Sequence, residues 1–154
     1  CLILPGGFGV MKNLSNFAVA ESAESAKVHD DVANLILSFY NSQKAIGAAC
    51  IAPVIVAAVL GPEIKATKRP PIQLTLGETE GDAQRLAESF GSVELNECSV
   101  VSSFRDLHYN VVSTPAYMSE DASPASVFKG IERMAKDVRM ILNQQKTGVC
   151  NVAV

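Results

Sequence analysis

Short apolar runs alternate with longer stretches of helical periodicity along most of this chain, and this alternation limits its fold more than any other feature. The runs are Leu2–Leu4, Ala45–Ala49 and Ile72–Leu76, and each precedes a stretch in which apolar residues recur every three or four positions. Strands that are covered on both faces by the intervening helices are typical of parallel sheets. The sequence therefore predicts an α/β fold with helices on both faces of an open sheet.

Turn-forming residues predict where the helices begin and end. Gly61-Pro62 is expected to end the helix that follows Ala45–Ala49, and Lys65 to Pro71 is expected to be a solvated loop. Thr79 with Asp82 resembles a capping box that opens a third helix, which would end at Gly91. The first full helix is expected to bury a stripe made of Val28, Val32, Leu35, Ile36 and Phe39.

The second half of the chain predicts a β-hairpin and a long terminal helix. Val100–Phe104 and Tyr109–Ser113 are the two expected strands of the hairpin. Ser123-Pro124 supplies an N-cap and a first-turn proline for the helix. Packing against the core is the expected role of its apolar stripe, and a partner-binding face is the alternative. The stripe consists of Val127, Phe128, Ile131, Met134, Ala135, Val138, Ile141 and Leu142.

Composition excludes several classes of protein. The chain has 154 residues, which predicts one domain, and 48% of them are hydrophobic, which excludes intrinsic disorder. A net charge of −3 without basic clusters argues against nucleic acid or an anionic membrane as a partner. The longest uncharged stretch, Ala45 to Gly61, is interrupted by Gly47 and Pro53, so no membrane-spanning helix is expected.

The cysteines are widely spaced, at Cys1, Cys50, Cys98 and Cys150. They form no C-x-x-C pair and have no histidines at ligand spacing, so neither a zinc site nor any other metal site is expected. Because the composition already supplies a core, a disulfide framework is not needed, and a reducing intracellular compartment is predicted.

Cys50 has the sequence context of a nucleophile. It lies between the apolar strand Ala45–Ala49 and a helix with Pro53 in its first turn, which is the pattern of a nucleophile elbow with sulfur in place of oxygen. Such a turn would hold the thiol at the carboxyl end of the sheet, where the amides of the helix start favour the thiolate. A buried structural cysteine is the alternative interpretation.

The glycine loop Pro5–Gly9 follows the first strand and is expected to face Cys50 across the same sheet edge. Amides of Gly6 and Gly7, with that of Ile51, would then form an oxyanion hole. A tight structural turn is the alternative. The loop fits neither G-x-G-x-x-G nor the phosphate-binding P-loop, so no nucleotide is expected.

Four motifs occur in a specific order and spacing along the chain. They are Leu4-Pro5-Gly6-Gly7-Phe8-Gly9, Lys12-Asn13-Leu14-Ser15, Cys50-Ile51-Ala52-Pro53 and Thr114-Pro115-Ala116-Tyr117-Met118. Together they resemble the enhancing lycopene biosynthesis and sigma cross-reacting proteins, a subfamily of the PfpI-like, class I glutamine amidotransferase-like superfamily.

The resemblance implies a flavodoxin-like three-layer sandwich over residues 1–145, followed by a tail at 146–154, and a homodimer. It places Cys50 at the nucleophile position, with Asn13 ordering the glycine loop and Tyr117 and Met118 packed near the elbow. It also implies that Asn13 and Thr114 belong to the substrate-binding set.

Two departures from the superfamily pattern bear on activity. The family's first strand, with its acidic residue, would lie upstream of Cys1, so we expect an N-terminal portion, with any targeting peptide, to precede this sequence. Thr114 stands where glutaminases carry a catalytic histidine, which leaves the general-base role unfilled. His29 and His108 are expected to be solvated surface residues.

The resemblance favours a weak glyoxalase- or deglycase-like activity on small reactive carbonyls, dependent on Cys50 and on no cofactor. A non-catalytic, dimeric redox-sensing or regulatory protein is the alternative, since the acid and the base are both missing. A glutaminase domain is the least favoured of the three. The expected compartment is the mitochondrion, with the cytosol as the alternative.

Overall fold

The computed structural model describes residues 1–20, 22 and 24–147, and its elements alternate as the sequence predicts. In chain order they are β1 (Leu2–Leu4), α1 (Phe8–Asn13), α2 (Asp30–Asn41), β2 (Ile46–Ala49), α3 (Ala52–Thr67), β3 (Ile72–Leu74), α4 (Asp82–Ser89), β4 (Val93–Leu95), β5 (Phe104–Asp106), β6 (Val111–Thr114) and α5 (Pro124–Thr147). A 3₁₀ turn at Ala116–Met118 follows β6.

Four strands form the main sheet in the order β1-β2-β6-β5. β1, β2 and β6 are parallel, and β5 pairs with β6 in the antiparallel direction. β3 and β4 form a separate parallel pair. This pair is tied to the main sheet by side chains, because the Thr75 amide donates to Ser113 Oγ at 2.9 Å and the Gln73 amide donates to Asp106 Oδ2 at 2.8 Å. The predicted mostly parallel sheet is confirmed.

The two faces of β2 bury different helices, because successive side chains of a strand point to opposite sides. Ile46 and Ala48 join the larger core cluster, which includes α3 and Ile36 of α2. Ala45 and Ala49 pack in the second cluster with Met134, Val138 and Ile141 of α5. Helices therefore cover both faces of the sheet, and the predicted three-layer α/β fold is confirmed.

The prediction that Gly61-Pro62 ends its helix is wrong. α3 continues to Thr67 with Pro62 inside it, so part of the expected loop from Lys65 is helical. Leu60 and Ile64 are fully buried, which favours continuing the helix through the proline. Gly61 is required for another reason: a Cβ there would lie 2.4 Å from the carbonyl oxygen of Gly91, so the glycine permits close packing against the end of α4.

Several predicted boundaries also move. Phe8 and Gly9 belong to α1, with Gly7 as its N-cap, and are not part of an open loop. The capping-box prediction for Thr79 is wrong, since Gly81 is the N-cap of α4 and no side chain caps that helix. The hairpin is present, but its first strand is β5, at 104–106, and the strand β4 was not predicted. Leu35, expected to be buried, is 46% exposed.

The terminal helix begins as predicted. The amide of Ser126 donates to Ser123 Oγ at 3.2 Å, which is an N-cap bond, and Pro124 is the first helical residue. The predicted stripe is only partly buried, because Phe128 is 69% exposed and Ala135 is also exposed. The helix runs past the predicted boundary at 145, and residues 148–154, including Cys150, lie outside the described residues. No helix among the described residues is long and apolar enough to cross a membrane.

The environment of the Tyr109 phenol predicts that the folded state loses stability at alkaline pH. Its phenol donates to the carbonyl of Pro70, and burial, followed by the nearby Tyr40 and Asp106, raises the pKa of Tyr109 to about 12. The folded phenol therefore keeps its proton at a pH where the unfolded one loses it, so stability is intact below pH 10 and falls between about pH 10 and 12. This fall in the free energy of unfolding should be on the order of 2 kcal/mol. In denaturant titrations at a series of pH values, the Tyr109→Phe variant should lack it. Parallel pH profiles of the two proteins would contradict the assignment.

Candidate active site

Cys50 lies in a strained turn between β2 and α3. Its φ is 59°, in the left-handed region, and its amide donates to the Thr114 carbonyl at 3.0 Å. A non-glycine residue in this region costs on the order of 1–3 kcal/mol, and such strain clusters at functional sites. Parallel pairing of β2 with β6 places the carbonyl of Thr114 beside the turn. The sheet therefore holds the turn in place through the backbone of the neighbouring strand.

The glycine loop meets Cys50 at close range. A Cβ built on Gly6 would lie 2.3 Å from Cys50 Cβ, 2.9 Å from the Ala49 carbonyl oxygen and 3.2 Å from Cys50 Sγ. Real Cβ atoms essentially never approach as closely as the first of these distances. Only glycine at position 6 therefore lets the end of β1 pack against the cysteine.

Cys50 lines a cleft of about 460 Å³, which lies between the ends of β1 and β2, the 3₁₀ turn and α5. This volume lies within the range of small-molecule sites. The cleft is mainly apolar. Its lining residues are Ile3, Pro5, Gly6, Gly7, Ala49, Cys50, Ala116, Tyr117, Ile131 and Met134.

The structure brings three of the predicted site residues, Gly6, Gly7 and Cys50, to the cleft lining. Ile51 does not line the cleft; it is the N-cap of α3. The amides of Gly6, Gly7 and Ile51 donate to no backbone carbonyl among the described residues. The Cys50 amide, in contrast, is already bound to Thr114. The glycine loop and Ile51 therefore offer backbone donors at this edge that no backbone carbonyl of the described residues accepts.

Thr114 and Asn13, like Ile51, are predicted site residues that do not line the cleft. Thr114 is fully buried, and its hydroxyl donates to the Ser102 carbonyl at 2.7 Å. It meets Cys50 only through its main-chain carbonyl, so the structure gives it a positioning contact. Asn13 is exposed and is the last residue of α1, at the opposite end of the helix from Gly7. Its side chain reaches back toward Gly9, where a built Cβ would lie 3.5 Å from Asn13 Nδ2.

Other residues that line the cleft, which are not among the predicted oxyanion residues, come from the 3₁₀ turn, from α5 and from β1. Ala116, with φ 49°, and the 61% exposed Tyr117 come from the 3₁₀ turn, and the resemblance had already placed Tyr117 near the elbow. Ile131 and Met134 come from α5, and Ile3 comes from β1. The apolar stripe of α5 is the sequence signal for Ile131 and Met134, although by itself it predicts packing against the core and not a position in the cleft.

General bases are absent from the described cleft, since no Asp, Glu, His, Lys or Arg lines it. His29 and His108 are both exposed, as predicted; His29 lies 4.0 Å from Asp31, and His108 stacks edge-on against Tyr109. Within the described ranges there is no group of three or more potential metal ligands. The thiol therefore has backbone donors nearby, but no side chain among the described lining residues is a base that could accept its proton.

A second cavity, of about 370 Å³, is lined by Gly77, Glu78, Glu97, Cys98 and Ser99. Burial raises the pKa of the Cys98 thiol, and a hydrogen bond with Ser102 only partly offsets this. Cys98 Sγ also lies 3.6 Å from the Ser99 carbonyl, to which it donates. Cys98 is therefore disfavoured as a thiolate, which distinguishes it from a reactive cysteine.

Curated relatives of this chain come from three vertebrates. It is 35% identical over 127 residues to glutamine amidotransferase-like class 1 domain-containing protein 3, mitochondrial, of Homo sapiens, which covers 78% of this chain and 43% of that protein. It is 32% identical over 143 residues to the ES1 protein homolog, mitochondrial, of Rattus norvegicus, covering 88% and 49%. It is 28% identical over 149 residues to the ES1 protein, mitochondrial, of Danio rerio, covering 89% and 51%. No family model matches the sequence.

A solved structure shares the fold. An isoprenoid biosynthesis protein with an amidotransferase-like domain from Ehrlichia chaffeensis superposes with a TM-score of 0.73 at 31% identity, over 92% of this chain and 58% of that one. The chain spans about half the length of the curated relatives it matches. The names of these relatives and of the structural neighbour agree with the family that the four motifs resemble, and on this evidence the chain belongs to the glutamine amidotransferase-like class 1 family.

Proposed function

We propose that Cys50 is a nucleophile toward small reactive carbonyls, with weak glyoxalase- or deglycase-like activity. The observation that carries this proposal is the position of the thiol. It lies at a left-handed turn, against Gly6, and opens into a cleft large enough for a small molecule. Backbone strain clusters at active sites, and small-molecule sites are clefts of about this size.

The chemical step needs only the thiolate, an aldehyde and water. Cys50 Sγ attacks the carbonyl carbon, a C–S bond forms, and the C=O π electrons move to the oxygen. The amides of Gly6, Gly7 and Ile51, which donate to no backbone carbonyl among the described residues, are the candidates to stabilise this oxyanion. A proton from water then gives the neutral hemithioacetal. No oxidant or reductant takes part in this addition.

The absence of a side-chain base along the described cleft makes the proposed turnover slow. Conversion of the hemithioacetal to a product requires proton transfer at carbon, and positioned bases typically accelerate such steps by about 10²- to 10⁴-fold. The same observation favours a second candidate function, a dimeric regulatory protein in which a peroxide oxidises the Cys50 thiolate to the sulfenic acid. It also makes glutaminase activity the least favoured candidate.

The relatives add a location and a context to the proposal. All three curated relatives are named as mitochondrial, and the solved neighbour is named as an isoprenoid biosynthesis protein. We propose the mitochondrion as the compartment of this protein as well. The single-domain organisation over 1–145 and the homodimer implied by the resemblance are part of the same proposal.

The activity is tested with methylglyoxal as the substrate. Slow consumption by the wild-type protein, lost in Cys50→Ser and retained in the control Cys98→Ser, is the expected result. Glutamine should release no ammonia under the same conditions, because nothing at Thr114 can accept the thiol proton. No Cys50-dependent consumption, together with stoichiometric sulfenic acid formation at Cys50 by hydrogen peroxide, would favour the regulatory function instead. Cys50-dependent ammonia release would contradict the proposal.

A further inference from the structure

We infer that the Cys50 cleft selects uncharged electrophiles that carry an apolar group, and that Ile131, Met134 and Tyr117 form the wall that sets this selectivity. The inference rests on the proposed role of Cys50 as a nucleophile and names the substrate class of that site. A neutral aldehyde with an aliphatic or aryl substituent is therefore favoured over an anionic carbonyl compound such as a 2-oxo acid.

The chemistry of the lining carries the inference. Apart from the Cys50 thiol and the Tyr117 phenol, the side chains of the described lining residues are apolar or absent. A carboxylate that enters this site loses its hydration, and none of the described lining residues supplies a cationic side chain to pair with it. An alkyl group in the same place leaves water, which is favourable by about fourfold in affinity for each buried methylene.

The apolar floor is formed where small residues of β2 face α5. Gly47 lies on the same face of β2 as Ala49, and a Cβ built on it would lie 2.7 Å from Ile3 Cδ1 and 3.7 Å from Met134 Sδ. The side chains of Ile3 and Met134 therefore both lie close over Gly47. Met134 is only 3% exposed, so its position is set by the core.

The wall residues differ in how far they can be changed. Ile131 is half-buried, and Tyr117 is 61% exposed on the 3₁₀ turn. Both can therefore take a charged substitute without placing it inside the core. Ala135 is exposed on the same helix but does not line the cleft, which makes it a matched control position.

The test measures alkylation of Cys50 in a protein whose other three cysteines are serine. N-butyl iodoacetamide, iodoacetamide and iodoacetate are compared, and each rate is divided by the rate of the same reagent with free glutathione. We expect the normalised rate to be at least about fivefold higher for the butyl reagent than for iodoacetamide, and at least about tenfold lower for iodoacetate.

Positive charge placed on the wall should remove most of the preference against iodoacetate. Ile131→Lys and Tyr117→Arg are each expected to raise the normalised rate of iodoacetate relative to iodoacetamide by about tenfold, whereas Ala135→Lys should leave the ratio unchanged. Melting curves identify any variant that fails to fold, and the wild-type reagent series is independent of the variants. Equal normalised rates for the three reagents, with Cys50 still reactive, would overturn the selectivity and leave the nucleophile standing. A Cys50 inert to all three would overturn both.

Discussion

Replacing Gly6 with alanine should be among the most damaging single-atom additions to this site. The new methyl carbon would lie 2.3 Å from Cys50 Cβ and 2.9 Å from the Ala49 carbonyl oxygen. Neither atom can move away unless the β2–α3 turn moves with it. We expect a loss of about 1–3 kcal/mol in the free energy of unfolding, as for other overpacked positions, and at least a tenfold slower alkylation of Cys50.

Gly9→Ala is the matched control, because it adds the same methyl group three residues later. The nearest atom there would be Asn13 Nδ2 at 3.5 Å, an ordinary van der Waals contact, and Gly9 lies inside α1. Alanine in place of glycine within a helix is worth roughly 0.5–1 kcal/mol, so this variant should be as stable as the wild type or slightly more so. Urea titrations and alkylation rates of both variants check the prediction. Equal behaviour of the two would show that the loop does not contact Cys50 as described.

Selective modification of Cys50 over Cys98 is the second large effect that we expect. Cys50 lines an open cleft beside the start of α3, whereas burial raises the pKa of Cys98 and leaves less of it as the thiolate. Since the thiolate is the reacting form, alkylation at pH 6–7 should be about tenfold or more faster at Cys50. Mass spectrometry after substoichiometric iodoacetamide measures the ratio.

The comparison is cleanest in a protein that carries Cys1→Ser and Cys150→Ser. Cys1 is exposed and would compete for the reagent, and Cys150 lies outside the described residues. Denaturation in urea provides the internal control, because the two remaining cysteines should then react at similar rates. Preferential labelling of Cys98 in the folded protein would remove the reason for treating Cys50 as the nucleophile.

Local chemistry made parts of this fold predictable. The start of α5 at Pro124 could be predicted because a capping serine and a first-turn proline act on their own backbone, whatever packs around them. The position of Cys50 at a strand-to-helix turn followed from an apolar strand that ends where Pro53 begins a helix. The family resemblance of the glycine loop, Cys50 and Thr114-Pro115 was likewise contained in the residues themselves.

Long-range packing decided what the sequence alone could not. Gly61-Pro62 is a strong local stop signal, yet burial of Leu60 and Ile64 against the core outweighs it and α3 continues. The α5 stripe predicted a helix face, but only the packing of α5 over Gly47 and Ala49 brings two residues of that face, Ile131 and the core residue Met134, to the lining of the cleft.

The candidate nucleophile could be recognised without a structure, because a cysteine between a strand and a helix lies at the carboxyl end of any parallel α/β sheet. What surrounds the thiol depends on three-dimensional packing: Gly6 contacts it, the Thr114 carbonyl accepts from its amide, and the described lining residues form an apolar wall without a base. These neighbours come from the ends of β1 and β6 and from α5, which are distant from Cys50 in sequence, so no local signal could place them. The pairing and register of the strands, and the layer on which α5 packs, bring them together.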